Sequence, residues 1–218
     1  MARPEGGYRL KDGTSVPGVS TVAKIGQDMG GLQWWIWNEG REGRSFEETK
    51  KKAANTGTIA HDMVDCWIHK RPWLRPEWAT DEQVAQAGVA FSAFLRWAEG
   101  NQFVITHTEL TLVSETYRVG GTLDASACTI RGRRSMLDWK TSNDTYPEHL
   151  VQVKGYGLLW DEAFPDDPVV DGYHIVRFGK EYGNFSHHWW PELDVAGRAF
   201  LLKRELYDHA AVLKKMAK

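Results

Sequence analysis

The chain has 218 residues, 42% of them hydrophobic, and a formal net charge of −2. This length predicts one domain with enough apolar side chains for a buried core. No stretch approaches the roughly 20 apolar residues of a membrane helix, and no apolar run follows Met1–Glu5, so neither a membrane protein nor a secretory signal is expected. Cys66 and Cys128 are the only cysteines, too few for a disulfide framework, a cysteine zinc site or an iron–sulfur cluster, and they favour a reducing, cytoplasmic setting.

Charge and aromatic content leave a nucleic-acid partner open. A net charge of −2 does not indicate a nucleic-acid binder, but a metal-dependent nuclease concentrates acid at its metal site and base around it. The clusters Lys50–Lys52 and Lys214–Lys215 each fit a solvated surface. Eleven tryptophans is a high count, and the run Trp34, Trp35 and Trp37 fits either stacking on unpaired bases or core packing.

The first half of the chain is predicted to be mostly helical. Glycines and Pro17 indicate a short hairpin or irregular lead-in over 8–18. Ser20 is predicted to cap a helix that begins near Thr21. Three longer helices follow from apolar residues at helical spacing, over 31–38, 57–69 and 81–100.

The second half changes to a period of two. Strands are predicted over 103–113, 117–130, 135–139, 169–178 and 185–190, with a turn at Arg131–Arg133 and a helix over 147–160. A terminal helix from Asp194 to Lys218 carries a predicted apolar side. Its members are Leu201, Leu202, Leu206, Val212 and Leu213. The order of elements predicts an α/β fold with a mixed central β-sheet flanked by helices.

A candidate site lies on the hairpin around Gly132. Asp124 and Asp138 are symmetric about Arg131, so they are expected to lie opposite each other, with Cβ atoms roughly 4.5–5.5 Å apart. Lys140 shares the strand face of Asp138 because side chains alternate, and Glu109 on the preceding strand could add a third carboxylate. Oxygen ligands of this kind suit magnesium. On spacing alone, a metal site and an exposed hairpin of mixed charges fit about equally well.

The ordered motifs resemble those of a known superfamily. They are Gly120-Gly121-Thr122-Leu123-Asp124, Leu137-Asp138-Trp139-Lys140-Thr141, and Gln152 with Tyr156, preceded by His61 and Glu109. This set resembles the RecB-type branch of the PD-(D/E)XK nucleases, which includes RecB nuclease domains, phage exonucleases, the mitochondrial genome maintenance exonuclease and the CRISPR adaptation nucleases. The lead-in Val16–Thr21 is similar to the N-terminal motif of the phage and mitochondrial exonucleases.

The resemblance implies a role for each site residue. Asp124, Asp138 and the Trp139 carbonyl would bind Mg²⁺ or Mn²⁺, and Lys140 would be the catalytic lysine. Glu109 would be an acidic member of the site, although Glu115 is a rival for that position. Gln152 and Tyr156 share a helix face and would hold the site or the DNA, although ordinary packing fits this pair equally well.

His61 would be a further metal ligand by the same resemblance. Asp65 lies four residues on, so it is expected to accept the other ring proton of the histidine. Without the resemblance, a half-buried histidine bonded only to Asp65 fits the pattern better.

The resemblance also implies an organisation and a function. The expected organisation is a single nuclease domain over 1–218 with a restriction-endonuclease-like core. Residues 1–100 would form a mostly helical part and residues 101–218 the catalytic sheet. The expected function is a metal-dependent exonuclease acting on DNA ends in repair or recombination, in the cytoplasm of a bacterial or phage-infected cell. A single-strand-annealing or other recombination protein is the expected partner. A structure-specific endonuclease and a non-catalytic DNA-binding module are the alternatives, and polarity, strand preference and oligomeric state stay open.

Overall fold

The computed structural model describes residues 4–100, 104–128, 132–142, 144–179 and 184–217, but not the side chains of 127 and 128. Parts of predicted elements, including Phe103, Ile130, Arg131 and Lys218, lie outside these ranges. The first half contains β1 (Tyr8–Arg9), β2 (Ser15–Val16), α1 (Val19–Ala23), α2 (Gly30–Arg41), α3 (Phe46–Ile68) and α4 (Asp81–Gly100). The second half contains β3 (Val104–Ser114), β4 (Val119–Cys128), β5 (Arg134–Lys140), α5 (Pro147–Ala163), β6 (Tyr173–Phe178), β7 (Phe185–Trp190) and α6 (Asp194–Met216).

One five-stranded sheet organises the second half, in the order β3-β4-β5-β6-β7. The first three strands form an antiparallel meander. β5 and β6 are parallel, because α5 carries the chain back across the sheet, and β7 returns antiparallel to β6. The predicted fold class, α/β with a mixed central sheet flanked by helices, is confirmed.

Each face of the sheet has its own apolar core. On one face α1, α5 and α6 pack around Leu123, Trp160 and Phe200. On the other face α3 and α4 pack around Phe94 and Trp139. A fully buried large apolar side chain contributes roughly 1.5–3 kcal/mol, so these two layers stabilise the sheet that lies between them. No helix within the described ranges is long and apolar enough to cross a membrane.

The N-terminal helices depart from the predicted limits. α1 begins at Val19 after Gly18, so the prediction that Ser20 caps it was wrong, and Ser20 lies inside the helix. α3 begins at Phe46 instead of 57, with the Ser45 side chain accepting from the Glu48 amide. Its first turns are polar, so apolar periodicity could not reveal them. A capping side chain and acids in the first turn stabilise such a start.

The predicted apolar side of α6 was also wrong. The leucines and valine of that side are all exposed; Leu202 is 66% exposed and Leu213 61%. The buried residues of the helix are Ala196, Gly197, Phe200 and Arg204. α6 therefore packs through its first turns, and its C-terminal part presents leucines to solvent.

The lead-in joins the sheet at Gly120 of β4. The Gly120 amide donates to the Pro17 carbonyl at 3.0 Å, and a Cβ on Gly120 would lie 2.3 Å from Tyr8 Cγ. A Cβ on Gly121 would lie 2.7 Å from Tyr156 Cε1. The two glycines before Asp124 are therefore required because aromatic rings pack directly on the strand backbone.

We expect Gly120→Ala to lower the free energy of unfolding by about 1–3 kcal/mol, since an added methyl group would overlap the Tyr8 ring. Thermal or denaturant unfolding measures the change. Gly88→Ala in α4 is the matched control, because no atom lies within 4 Å of its Cβ position; it should leave stability unchanged or raise it by about 0.5–1 kcal/mol. Equal melting of Gly120→Ala and wild type would contradict the packing argument.

Candidate active site

Asp124 and Asp138 lie where β4 and β5 separate. The β4–β5 ladder runs from Cys128↔Arg134 to Ala125↔Leu137. One step further in the same register are Asp124 and Asp138, so the predicted symmetry about position 131 agrees with the observed pairing. Asp124 is 1% exposed and Asp138 is 0% exposed. The two carboxylates thus lie beside each other just past the end of the ladder, where each affects the pKa of the other, and both are removed from bulk water.

The sheet is irregular at this point. Leu123 packs in the core under α5, but Ala125 packs in the core under α4, whereas an unbroken strand would put residues two apart on one face. On β3 the ladder pairs Thr108 with Ala125 and Leu110 with Leu123. Glu109, between them, has a φ of 50°. Such left-handed strain in a non-glycine residue costs of order 1–3 kcal/mol and is concentrated at functional sites.

The contacts of the two carboxylates differ. Asp124 Oδ2 accepts the backbone N–H of Trp139 at 2.9 Å. Asp138 Oδ2 forms an ion pair with the ammonium of Lys140, whose side chain is 13% exposed. Among the described residues, neither Asp124 Oδ1 nor Asp138 Oδ1 receives a hydrogen bond. Each carboxylate therefore keeps one buried oxygen in need of a partner.

Burial dominates the electrostatics of the pair. It raises the pKa of Asp124 above its ordinary value. It raises the pKa of Asp138 to about 7, with the Lys140 ammonium opposing the shift and the Asp124 carboxylate adding to it. Two carboxylates so placed are stable only if they share a proton or a cation lies between them.

The pair fits a hard divalent cation. Such ions take carboxylate oxygens, and Mg²⁺ commonly keeps several waters and only one or two protein carboxylates. Across the described ranges, no three His, Cys, Asp or Glu side chains converge closely enough to enclose a metal. An ion held by the two aspartates would thus complete its shell with water, backbone oxygen, substrate or a side chain that moves toward it on binding, and the Trp139 carbonyl stays a predicted ligand.

His61 approaches the pair from α3. Its Nδ1 lies 3.9 Å from Asp124 Oδ1, too far for a hydrogen bond, and its side chain is 14% exposed. The predicted partner Asp65 was wrong. The Asp65 carboxylate instead accepts from Thr108 at 2.7 Å and pairs with Arg71 and His69, because these three groups surround it. His61 thus faces Asp124.

Glu109 lines a cleft beside His61. Thr58, Asp62, Asp65 and Trp78 also line this cleft, and burial raises the pKa of Glu109 above its ordinary value. The rival Glu115 lies in the turn after β3, where its carboxylate accepts the Lys11 amide at 2.9 Å. Glu109 is therefore the strand acid that lies near His61.

Gln152 and Tyr156 lie together on the buried side of α5. Gln152 Nε2 donates to the Tyr156 hydroxyl at 3.1 Å, and both side chains are less than one-tenth exposed. Burial, followed by the Asp138 and Asp124 carboxylates, raises the pKa of Tyr156 well above its ordinary value. The pair therefore packs close to the acids; whether it also contacts DNA stays a prediction.

Two residues near the acids were not predicted from the sequence. His149, in the first turn of α5, accepts the Tyr146 amide at 3.2 Å, and burial, followed by the charge of Lys140, lowers its pKa to about 4. Arg177 on β6 is in register with Lys140 on β5. A single His or Arg forms no motif, so neither residue could be recognised by spacing. Pro147 predicts the start of a helix, and this start places His149 in the first turn.

Comparison with known proteins leaves the family open. No family model matches the chain, and no curated protein sequence matches it. The crystal structure of LHK-Exo in complex with dAMP matches with a TM-score of 0.47 at 11% identity, covering 93% of each chain. The crystal structure of SSO0001 matches with a TM-score of 0.32 at 13% identity, covering 72% of this chain and 83% of that one. Such low values imply nothing about activity, so the function must be argued from the site.

Proposed function

We propose that the chain is a divalent-metal-dependent deoxyribonuclease that hydrolyses phosphodiester bonds from DNA ends. The observation that carries the proposal is the pair Asp124 and Asp138, buried together beside Lys140, each with an oxygen that has no donor among the described residues. The motif order that resembles the RecB-type nucleases supports the same reading.

Each residue has a proposed task. Asp124 and Asp138, with the Trp139 carbonyl, would hold a divalent cation, which polarises a phosphate and lowers the pKa of a nearby water. The Lys140 ammonium orients that water and stabilises negative charge that develops on the phosphate oxygens. Glu109 supplies a further acid at the cleft. Gln152 and Tyr156, on the buried side of α5, hold the acids in place.

Digestion of labelled linear DNA and covalently closed circles tests the proposal. With magnesium or manganese, linear DNA should be consumed and closed circles should resist, and chelator should stop the reaction. The expectation of end dependence comes from the resemblance of the lead-in to phage and mitochondrial exonucleases. Rapid cutting of circles would replace the exonuclease by an endonuclease on the same site, and binding without any cleavage would leave a DNA-binding module.

His61 is proposed to contribute a nitrogen ligand. We expect His61→Ala to weaken manganese affinity and slow cleavage, since ligands of one ion at about 2.0–2.2 Å lie roughly 3–4 Å apart, as His61 and Asp124 do. Calorimetry with manganese and a single-turnover assay measure the two effects. His209→Ala is the matched control, because that side chain is 66% exposed on α6. Wild-type affinity and rate in His61→Ala would return the histidine to a packing role.

A further inference from the structure

α2 exposes its largest apolar side chains. Trp34 is 63% exposed and Trp37 is 58% exposed. Within this helix, all of which is described, the one buried residue is the acid Glu39. An amphipathic helix normally turns its aromatic side toward the core. α2 instead turns two of its tryptophans toward solvent and buries an acid.

The hairpin of α2 and α3 is held by other residues. The Glu39 carboxylate accepts from Arg44 at 2.8 and 2.9 Å and from Thr49 at 2.8 Å. The Trp35 ring packs edge-on against Phe46, with centroids 4.9 Å apart, and its indole N–H donates to Glu39 at 3.3 Å. Of the three neighbouring tryptophans, Trp35 therefore serves packing, whereas these contacts do not use Trp34 or Trp37.

Trp34, Trp37 and Arg41 form a stripe on one face of α2, because they are three and four residues apart. The two tryptophans are separated by about 4.5 Å along the helix axis. The Arg41 guanidinium lies over the Trp37 ring, 5.0 Å from its centroid, and donates to the Asn38 side chain at 3.1 Å. The stripe thus offers two largely exposed indole rings, one of which has a cation over one of its faces.

The one charged side chain within the stripe is a cation, which suits an anionic strand. The acids Glu39 and Glu42 of α2 both pair with Arg44, so Arg41 is the cation that stands within the stripe. Proteins that bind single strands combine aromatic rings, on which bases stack, with cations that meet the phosphates. Bases inside a duplex are already stacked, so exposed tryptophans select unpaired bases.

The helix that follows the stripe carries a residue of the proposed active site. α3 continues from the hairpin to His61, about 16 Å along its axis from Lys50, and the cleft at His61 includes Trp78, which is 51% exposed. We infer that Trp34, Trp37 and Arg41 bind unpaired bases of the DNA strand that enters this cleft, an inference that rests on the proposed nuclease function. The preferred substrate is then DNA with a single-stranded end at least a few nucleotides long.

Fluorescence anisotropy tests the inference, with labelled oligothymidylate and a blunt duplex titrated in chelator so that no cleavage occurs. The double variant Trp34→Ala/Trp37→Ala should bind the single strand at least roughly tenfold more weakly, with duplex binding and melting temperature unchanged. Trp34→Phe/Trp37→Phe should keep most of the affinity, because a phenyl ring still stacks. Trp189→Ala on β7, a tryptophan 53% exposed in wild type, is the matched control and should bind as wild type does.

Equal single-strand affinity in the double alanine variant would overturn the inference, as would a wild-type protein that binds no single strand. Loss of self-association in sedimentation, with DNA binding unchanged, would also overturn it and assign the stripe to contacts between copies. The two proposals fail separately. If wild type binds single strands through Trp34 and Trp37 but cleaves no DNA, the nuclease function is wrong and the stacking surface stands.

Discussion

Asp138→Asn should abolish DNA cleavage, with a loss of roughly 10³-fold or more, and leave DNA binding largely intact. The amide keeps the shape of the side chain but removes the charge that would hold a cation, and loss of a single electrostatic stabiliser alone costs about 10²–10³ in rate. Single-turnover cleavage of end-labelled DNA measures the rate, and anisotropy in chelator measures binding. Asp124→Asn should behave in the same way.

The folding control for this prediction comes from the burial of the pair. Because Asp138 is fully buried beside the Asp124 carboxylate, its neutral variant removes a buried repulsion but also leaves Lys140 without its ion-pair partner. These two effects oppose each other, so the variant should melt close to wild type in chelator. Asp166→Asn is the matched substitution, since Asp166 is an exposed acid in the loop after α5, and it should cleave at the wild-type rate. Full activity in either site variant would place the metal elsewhere.

Lys140→Ala should lose about 10²–10³ in cleavage rate while keeping its metal affinity, since the ammonium is proposed to act on water and on the developing charge. The ion pair with Asp138 adds a second expectation. Removal of the lysine leaves a buried carboxylate without its counter-charge, so the variant should melt at a lower temperature than wild type in chelator. Divalent metal should restore part of the lost stability, because a cation would replace the missing charge.

Lys52→Ala is the control for Lys140→Ala. That ammonium pairs with Glu82 at the surface, with about half of each side chain exposed, so its removal should change neither rate nor melting in chelator. Calorimetry separates the roles: if Lys140→Ala failed to bind manganese, the lysine would be part of the metal site and its assignment to the chemical step would be wrong.

The sheet and the register that brings the two acids close together could be read from the sequence because local signals agreed. Alternation, β-branched residues and the turn at Gly132 set the β4–β5 register, and the observed ladder follows it from Cys128↔Arg134 to Ala125↔Leu137. α4 was predicted at its observed limits because its apolar residues have helical spacing, acids occupy its first turn, and a glycine lies at its end. These features depend on residues near one another in the chain.

Features set by long-range contacts could not be read. Asp65 shares a helix face with His61, but Thr108, which is 43 positions away, donates to its carboxylate. The left-handed φ of Glu109 could not be predicted, because glutamate rarely adopts this backbone conformation and no neighbouring residue indicates it. On α6, periodicity predicted the helix but not its buried side, since small residues such as Gly197, which packs against Lys154, make the contact.

Anomalous diffraction from crystals soaked in manganese tests the central claim most directly. The account predicts a manganese peak about 2.0–2.2 Å from a carboxylate oxygen of Asp124 and one of Asp138, and loss of that peak in Asp138→Asn crystals. Manganese bound only elsewhere, in a protein that needs manganese to cleave DNA, would contradict it.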